Sequence, residues 1–251
     1  MTDIVVLCFH AVSHRWPADL STTPERLEEL LAWLVGRGYR GATFHAALFT
    51  PPAPRTVAVT FDDAYRSVID LAFPILDRLG LPGTVFVPTD WAGTEKPMVW
   101  PGLDRWMGSP YESELMPMSW GELDRLASAG WEVGSHSRSH PRLTQLADGD
   151  LRAELAESRE ACEQHLGRPC PTVAYPYGDT DERVAAAAEE AGYAAAAALP
   201  TRFRPGGRFD WPRIGVYHGD GLRRFRVKVS PVVRRLPAGL PPGAPWTGSR
   251  R

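Results

Sequence analysis

The sequence lacks the features that mark membrane and exported proteins. Its 251 residues contain no uninterrupted apolar run of about 18 residues, the length that a membrane-spanning helix needs. The N-terminal segment "MTDIVVLCFHAV" has no basic region, and its apolar run is interrupted by His10, so it does not resemble a secretory signal. We therefore expect a soluble, cytoplasmic protein.

The sequence also has few cysteines and no excess of basic residues. The three cysteines, Cys8, Cys162 and Cys170, show no C-x-x-C spacing, which favours free thiols in a reducing compartment and predicts no catalytic cysteine. Lys and Arg total 28 against 30 acidic residues, for a net charge of −2, so the chain has no basic footprint for nucleic acid. The sequence therefore predicts neither a disulfide framework nor a nucleic-acid partner.

Strand-like and helix-like segments alternate along the chain. Short apolar runs predict strands at 3–9, 56–61, 83–88, 131–135, 172–176 and 213–217. Periodic and capped segments predict a helix at 22–38 and a second helix that follows the strand at 56–61 and ends near residue 79. They also predict helices at 119–130, within 150–166 and at 181–192. Repeated βα units with nearly all-apolar strands indicate a parallel sheet covered by helices, open or closed into a barrel, and the length suits one α/β domain.

Two segments fall outside this pattern. Residues 91–118 are rich in Trp, Pro, Met and Gly and predict a surface excursion over one end of the sheet, where binding loops concentrate; a loop with no role in binding is the alternative. Residues 226–251 are rich in Pro and Arg and predict a poorly ordered C-terminal tail. Residues 1–225 are therefore expected to form the single folded domain.

Candidate catalytic side chains follow two predicted strands. Asp62 and Asp63 come directly after one of them, and adjacent carboxylates there need a cation, a proton or a reaction to balance their charge. His136 and His140 follow another strand, and on a helical turn this spacing would point both rings the same way. Two imidazoles and one carboxylate would bind a zinc-like ion, while the second carboxylate would take a proton from water.

Aromatic residues supply weaker signals. The segment "AYPYGD" predicts a stiff turn in which a backbone N–H near Tyr177 acts as an oxyanion donor and the ring forms a wall; an ordinary turn is the alternative. Trp91, with Trp100, Trp106 and Trp120, is consistent with stacking on sugar faces, although such rings also suit a loop core.

Together, "TFDD", "HSRSH" and "YPYG" resemble, in order and spacing, the polysaccharide deacetylases of carbohydrate esterase family 4. The resemblance covers roughly residues 4–220. It implies a distorted (β/α) barrel and one divalent metal ion, usually zinc, with cobalt or nickel also accepted. It also implies hydrolysis of an N-acetyl or O-acetyl group on a sugar. Asp62 then resembles the general base, and Asp63, His136 and His140 resemble the metal ligands.

The third motif of the family departs from the usual pattern here. The arginine that commonly stands two residues before Pro-Tyr is replaced by Ala174. The segment "FDWPRIGV" resembles the fourth motif, and from it Asp210 and Trp211 are predicted to bind substrate. Arg213 is predicted to supply the missing guanidinium from a neighbouring strand, with a surface ion pair as the alternative.

The general acid is the second departure. The late Leu-x-His motif of the family is not evident, because His218 lacks the leucine. His10, in "VLCFHAV", resembles the equivalent strand end in poly-N-acetylglucosamine deacetylases, where the acid-bearing strand comes first. We therefore predict His10 as the acid in preference to His218, on the side opposite the base; a structural cap of the first strand is the alternative for His10.

These inferences predict a metal-dependent enzyme that releases acetate from an N-acetylated amino sugar or oligosaccharide. The missing export signal favours an intracellular precursor, such as a nucleotide-linked, lipid-linked or antibiotic-type amino sugar. One alternative is a deacylase or amidase that acts on a small non-sugar amide. Another is a carbohydrate-binding protein with a lost active site, which would require substitutions among the aspartates or histidines, and the sequence has none.

Overall fold

The computed structural model describes residues 3–200 and 207–235. The strands are β1 (Asp3–Phe9), β2 (Ala11–Val12), β3 (Ser21–Thr22), β4 (Arg40–Ala42), β5 (Arg55–Phe61), β6 (Gly83–Val87), β7 (Glu132–Ser135), β8 (Thr172–Ala174), β9 (Ala195–Ala198), β10 (Trp211–Pro212) and β11 (Ile214–Gly215). The helices are α1 (Pro24–Gly36), α2 (Phe44–Phe49), α3 (Phe73–Arg78), α4 (Trp120–Ser128), α5 (Asp148–Leu166), α6 (Glu182–Glu190), α7 (Leu222–Lys228) and α8 (Pro231–Arg235).

The main sheet is parallel throughout and runs in the order β10-β9-β8-β7-β6-β5-β1-β11, with β4 beside the first half of β5. Only Arg213 separates β10 from β11, and these two strands pair with β9 and β1 respectively. The last segment of the sheet therefore joins its two ends. The result is a nearly closed barrel of eight parallel strands in a single α/β domain, which confirms the predicted distorted (β/α) barrel.

Side chains of the barrel strands alternate between two hydrophobic clusters. Three residues of β5 belong to the larger cluster, between the sheet and the helices: Val57, Val59 and Phe61. Ala58 belongs to a smaller cluster inside the barrel, together with Val6, Phe44, Ala47, Phe86, Ala174, Ala195 and Ala197. Because strand side chains alternate with a period of two, Thr60 and Asp62 follow Ala58 on the interior face. The first of the two aspartates thus continues the lining of the barrel.

The long segment after β6 packs back onto the barrel. It contributes five buried side chains to the larger cluster: Met98, Trp100, Leu103, Leu115 and Met118. Its ends are tied to the loops that follow β5 and β7, because Met118 N–H donates to Ala64 O at 2.9 Å and Asp90 N–H donates to Arg138 O at 2.9 Å. Residues 91–118 therefore cover the edge at which these strands end.

The predicted boundary at residue 225 falls inside α7. Residues 226–235, which the sequence analysis assigned to the tail, form the end of α7 and α8, and the Arg234 guanidinium donates to Ile4 O and to Asp3. Residues 236–251, the remainder of the predicted tail, lie outside the described residues. In the part of the chain that the structure describes, no helix combines the length and apolarity needed to cross a bilayer.

Candidate active site and metal centre

Asp62 and Asp63 lie buried where β5 ends. Asp62 extends the strand, because its N–H donates to Phe9 O at 3.0 Å. The backbone then turns sharply, with φ of 69° at Asp63 and 52° at Ala64, both in the left-handed region that L-residues rarely adopt. This turn ends the alternation of the strand, so the two neighbouring carboxylates reach different partners.

Asp63 converges with the two predicted histidine ligands. Its Oδ1 lies 3.3 Å from His136 Nε2 and 3.2 Å from His140 Nε2. One ligand atom from each of the three buried residues lies within 4.8 Å of the others. Oδ1 of Asp63 has no hydrogen-bond partner, although it is buried. Buried oxygens are normally satisfied, so this set fits a divalent cation with two nitrogen ligands and one oxygen ligand, as zinc prefers.

The loop after β7 orients both imidazoles. His136 Nδ1 bonds to Ala174 O at 2.7 Å, which turns Nε2 towards Asp63, as is usual for metal-binding histidines. His140 N–H donates to Ser137 Oγ at 3.2 Å, and both of these residues are left-handed. The interpretation of the spacing as a helical turn is therefore wrong: the histidines converge through an irregular loop with two left-handed positions.

Aromatic rings enclose His140. Trp100 stacks on its imidazole at 4.1 Å between ring centroids, and Tyr177 packs edge-on at 4.7 Å. Tyr177 is itself left-handed at φ 60°, and the Arg142 guanidinium lies 4.4 Å from its ring. Burial and the charge of Asp63 raise the pKa of Tyr177 to about 12. Trp91 contacts Trp100 edge-on at 5.8 Å, so it packs against this aromatic wall.

Arg213 is buried and holds both oxygens of Asp62. Its Nη1 donates to Oδ1 at 2.6 Å and its Nη2 donates to Oδ2 at 2.8 Å, which is bidentate geometry. Nη1 also donates to Thr60 Oγ1 at 3.0 Å, and the guanidinium lies 5.4 Å from the Phe86 ring centroid. Ala174 belongs to the same interior cluster as Phe86. The structure thus brings a guanidinium to Asp62 from the β10–β11 junction, and Arg213 is no surface ion pair.

The charges around the aspartates keep both of them ionised. Burial raises the pKa of Asp62, but the charges of Arg213 and His136 and the hydrogen bonds from Arg213 outweigh burial and lower it to about 2. Burial also opposes ionisation of Asp63, yet the contacts with His136 and His140 hold its pKa well below the usual range. At neutral pH Asp62 is therefore able to accept a proton.

His10 lies beside Asp62. It lies two residues after Cys8, which is the side-chain repeat of a strand. One ligand atom each from Cys8, His10 and Asp62 lies within 4.8 Å of the others. Burial lowers the pKa of His10, although both aspartates raise it, and its buried Nδ1 has no partner. His218 is exposed, and its N–H donates to Asp19 O. The structure therefore brings His10 to the aspartates, but next to Asp62 rather than opposite it, and leaves His218 on the surface.

Two buried residues near the site were not predicted. Cys8 Sγ donates to Asp62 Oδ2 at 3.4 Å, and burial raises the pKa of this thiol, so it stays protonated. Tyr65 is fully buried, its hydroxyl faces Asp63, and burial and that charge raise its pKa. The alternation of β1 through Val6, Cys8 and His10 was the available signal for the thiol. For Tyr65 the only signal was its position two residues after Asp63.

The structure does not bring Trp211 to the aspartates. The Trp211 ring packs against the interior cluster, as do Ile4 near the start of β1 and Ala42 at the end of β4. Asp210 precedes β10, and its N–H donates to Gly207 O at 3.2 Å. Of the residues predicted from the fourth motif, Arg213 contacts Asp62, because it lies at the break between β10 and β11.

Backbone strain is concentrated around the candidate site. Left-handed non-glycine residues cost of order 1–3 kcal/mol each and persist where the surrounding structure holds them. In residues 3–200 and 207–235, all such residues lie in the loops after β5, β7 and β8: Asp63, Ala64, Ser137, His140 and Tyr177. The surrounding structure therefore holds these three loops in strained conformations that position their side chains at the candidate site.

The comparison with known families agrees with this geometry. Residues 50–196, more than half of the chain, match the model of the polysaccharide deacetylase family. The chain belongs to this family. The resemblance inferred from the motifs is confirmed, because the matched residues include Asp62, Asp63, His136 and His140.

Individual relatives are distant. The chain is 23% identical to the Bacillus subtilis protein YxkH over 193 residues, which cover 75% of this chain and 61% of that protein. It is 22% identical over 173 residues to poly-beta-1,6-N-acetyl-D-glucosamine N-deacetylase of Staphylococcus aureus, which covers 64% of this chain and 54% of that enzyme. The chain thus spans little more than half the length of these curated relatives.

The fold is shared with a solved polysaccharide deacetylase from Bacillus cereus. The two structures superpose with a TM-score of 0.74 at 21% identity, over 91% of this chain and 69% of that one. At this identity the likeness establishes the fold, and the roles of individual residues depend on the geometry described above.

Proposed function

We propose that this protein is a metal-dependent N-deacetylase that hydrolyses the N-acetyl group of an amino sugar within a saccharide. The observation that carries the proposal is the buried convergence of Asp63, His136 and His140 beside Asp62, which Arg213 holds ionised. Membership of the polysaccharide deacetylase family supports the reaction, and the name of the Staphylococcus aureus relative supports the substrate class.

The donor set fits one divalent cation, which we propose to be zinc, with cobalt or nickel as substitutes. Bound by Asp63, His136 and His140, it would polarise the acyl carbonyl and acidify a water molecule. The three protein ligands leave coordination positions open, as is typical of catalytic sites.

Residues of this chain carry out the proton transfers and stabilise the oxyanion. Asp62 takes a proton from water as the new C–O bond forms at the acyl carbon. A backbone N–H near Tyr177 stabilises the oxyanion, and the rings of Trp100 and Tyr177 form a wall for the sugar. The C–N bond breaks when His10 gives a proton to the leaving nitrogen, and the products are acetate and an amino sugar.

The lowered pKa of His10 constrains its part in this sequence. Burial keeps the imidazole neutral in the free protein, so His10 must gain a proton before it can donate one. The Asp62 carboxyl, which has just taken the proton of the water, lies beside His10 and can supply it. His10 thus acts as the acid by relaying a proton from the base to the leaving group.

Substrate class is tested by acetate release from a panel of amides. The panel contains N-acetylglucosamine, its β-1,4- and β-1,6-linked oligomers, a nucleotide-linked N-acetylamino sugar and a simple non-sugar acetamide. We expect turnover of saccharides and none of the non-sugar amide. Equal or faster turnover of the non-sugar amide would favour the small-molecule amidase instead, and preference for the nucleotide-linked sugar would favour the precursor predicted from the sequence.

Removing the metal should abolish turnover. Because three buried side chains converge without hydrogen bonds to satisfy Asp63 Oδ1, the purified protein should contain about one divalent ion per chain. Chelation followed by dialysis should abolish acetate release, and zinc or cobalt should restore it. Metal content is measured by elemental analysis of the same samples. Full activity in metal-free protein would contradict the proposal.

His10→Ala should retain the metal and lose roughly 10²–10⁴-fold in turnover on an amide, the usual contribution of a positioned acid. On an acetate ester with an acidic alcohol, much of this loss should disappear, because that leaving group departs without protonation. His218→Ala is the matched control and should change the turnover of both substrates only slightly, since His218 is exposed. An amide-selective defect in His218→Ala, absent from His10→Ala, would reverse the assignment.

A further inference from the structure

Charge is distributed unevenly along the chain. Residues 221–251 contain eight Lys or Arg residues and no Asp or Glu, for a formal charge of +8. Residues 1–220 contain the other 20 basic residues and all 30 acidic residues, for a formal charge of −10. A terminal block of one sign on a body of the other is typical of an interaction surface and has no role in specifying the fold.

Part of this basic block lies on the described surface of α7. Arg223 and Arg226 are exposed and three residues apart, so they share one face of the helix. The Arg226 guanidinium lies 5.7 Å from the ring centroid of Trp33, and Arg37, at the end of α1, lies 4.9 Å from the same ring. None of these three arginines contacts a carboxylate within the described part of the chain. We name these three arginines the basic patch.

Three other cations of this block have partners among the described residues. Arg224 and Lys228 both contact the buried carboxylate of Asp220, and Arg234 contacts Asp3. Lys228 also donates to Gly215 O of β11, and Arg234 ties α8 to the start of β1. The basic patch makes no such contact with the residues that the structure describes, so its charge is available there to an external anion.

Exposed apolar side chains lie on α7 and α8, close in sequence to Arg223 and Arg226 of the basic patch. Val227 is 58% exposed, Val232 69% and Val233 38%. They are half of the large hydrophobic side chains exposed in the described residues, and all three lie on two short consecutive helices. Val227 lies one helical turn from Arg223, so an apolar and a cationic side chain share one face. Basic and apolar groups side by side suit the boundary between headgroups and acyl chains.

We propose that α7 and α8 dock this protein on a bilayer that contains anionic lipids. The basic patch would contact lipid phosphates while the three valines enter the acyl boundary. Valine offers no ring on which a nucleic-acid base could stack, so the exposed apolar groups favour lipid over nucleic acid. The acidic remainder of the chain makes a second copy of this protein the competing partner, which the experiment below addresses.

The orientation of the barrel suits this docking. Arg234 ties α8 to the start of β1, whereas Asp62 and Asp63 follow the end of β5. Because β1 and β5 are parallel neighbours, the docking helices and the candidate site lie towards opposite ends of the barrel. A docked molecule would therefore keep its candidate site open to a saccharide on the side away from the lipid.

Co-sedimentation of the full-length protein with lipid vesicles tests the proposal. We expect binding to vesicles of phosphatidylcholine with phosphatidylglycerol, none to phosphatidylcholine alone, and weaker binding as salt rises. Each basic residue at such a surface contributes roughly fivefold in affinity, so Arg223→Glu with Arg226→Glu should lower partitioning by about 25-fold or more. The matched control is Arg125→Glu with Arg152→Glu, two exposed arginines on α4 and α5 without carboxylate partners in the described residues. It makes the same change in net charge and should bind normally.

The apolar contribution is tested separately. Val232→Ser with Val233→Ser should reduce the binding that persists at high salt. Absence of binding to phosphatidylglycerol vesicles would overturn the proposal, as would retention of binding by the α7 variant or equal loss in the control pair. Concentration-dependent dimerisation that the α7 variant abolishes, without vesicle binding, would assign the surface to a second copy. The assay measures lipid binding alone, so its result is independent of whether the protein hydrolyses acetamides.

Discussion

Replacing Arg213 with methionine should lower the free energy of unfolding by about 3–5 kcal/mol and remove most of the turnover. The guanidinium is buried and donates to both oxygens of Asp62. Without it, the buried carboxylate either remains as an uncompensated charge or takes up a proton, and in its protonated form it cannot accept one from water. Turnover should therefore fall by roughly the 10²–10⁴-fold that a positioned base contributes. Denaturant unfolding and acetate release measure the two effects.

Three further variants separate charge from packing. Asp62→Asn combined with Arg213→Met removes both ionic partners, so it should be less destabilised than Arg213→Met alone. Arg213→Lys keeps the charge but loses the bidentate fork, so it should preserve stability better than turnover. Arg208→Met removes an exposed contact with Glu189 at 3.8 Å and should cost less than about 1 kcal/mol. Stability of Arg213→Met equal to that of Arg208→Met would show that Asp62 does not depend on the guanidinium.

Much of the candidate site was predictable because its residues follow strand ends in a parallel barrel. Asp62 and His136 come directly after β5 and β7, and the carboxyl ends of parallel strands meet at one edge. The backbone between His136 and His140 was not predictable from their spacing. A helical turn and a loop with left-handed residues can both bring such a pair together, and the second requires contacts from outside the segment, such as Thr89 N–H donating to Ser137 O.

The barrel interior shows why other elements were missed. β9 consists of four alanines, and alanine has the strongest helix propensity, so nothing local indicated a strand. Pairing with β8 and β10 decides its conformation. Alanines also make up most of the interior cluster, which leaves room for the large side chains of Phe86 and Arg213. The composition of β9 thus depends on packing across the barrel, which local sequence does not reveal.

The left-handed turn at Asp63 explains how two adjacent carboxylates can take separate tasks. Asp62 follows the strand into the barrel, where Arg213 and Cys8 occupy its oxygens with hydrogen bonds. Asp63 leaves the strand direction and presents Oδ1 to two imidazole nitrogens. One carboxylate is thus surrounded by donors that keep it ionised, and the other lies beside imidazole nitrogens with which it would share the proposed cation.

Asp62→Asn should therefore retain the metal and lose roughly 10²–10⁴-fold in turnover, whereas Asp63→Asn should lose the metal. An asparagine at position 62 still accepts a hydrogen bond from Arg213 but cannot take a proton from water. At position 63 the amide is a neutral and much weaker ligand for a divalent cation than the carboxylate. Both variants are dialysed against the same zinc buffer, and metal content and acetate release are measured on each sample. Asp70→Asn, an exposed aspartate on the turn before α3, is the control and should change neither quantity. Loss of the ion in Asp62→Asn together with its retention in Asp63→Asn would reverse the two roles.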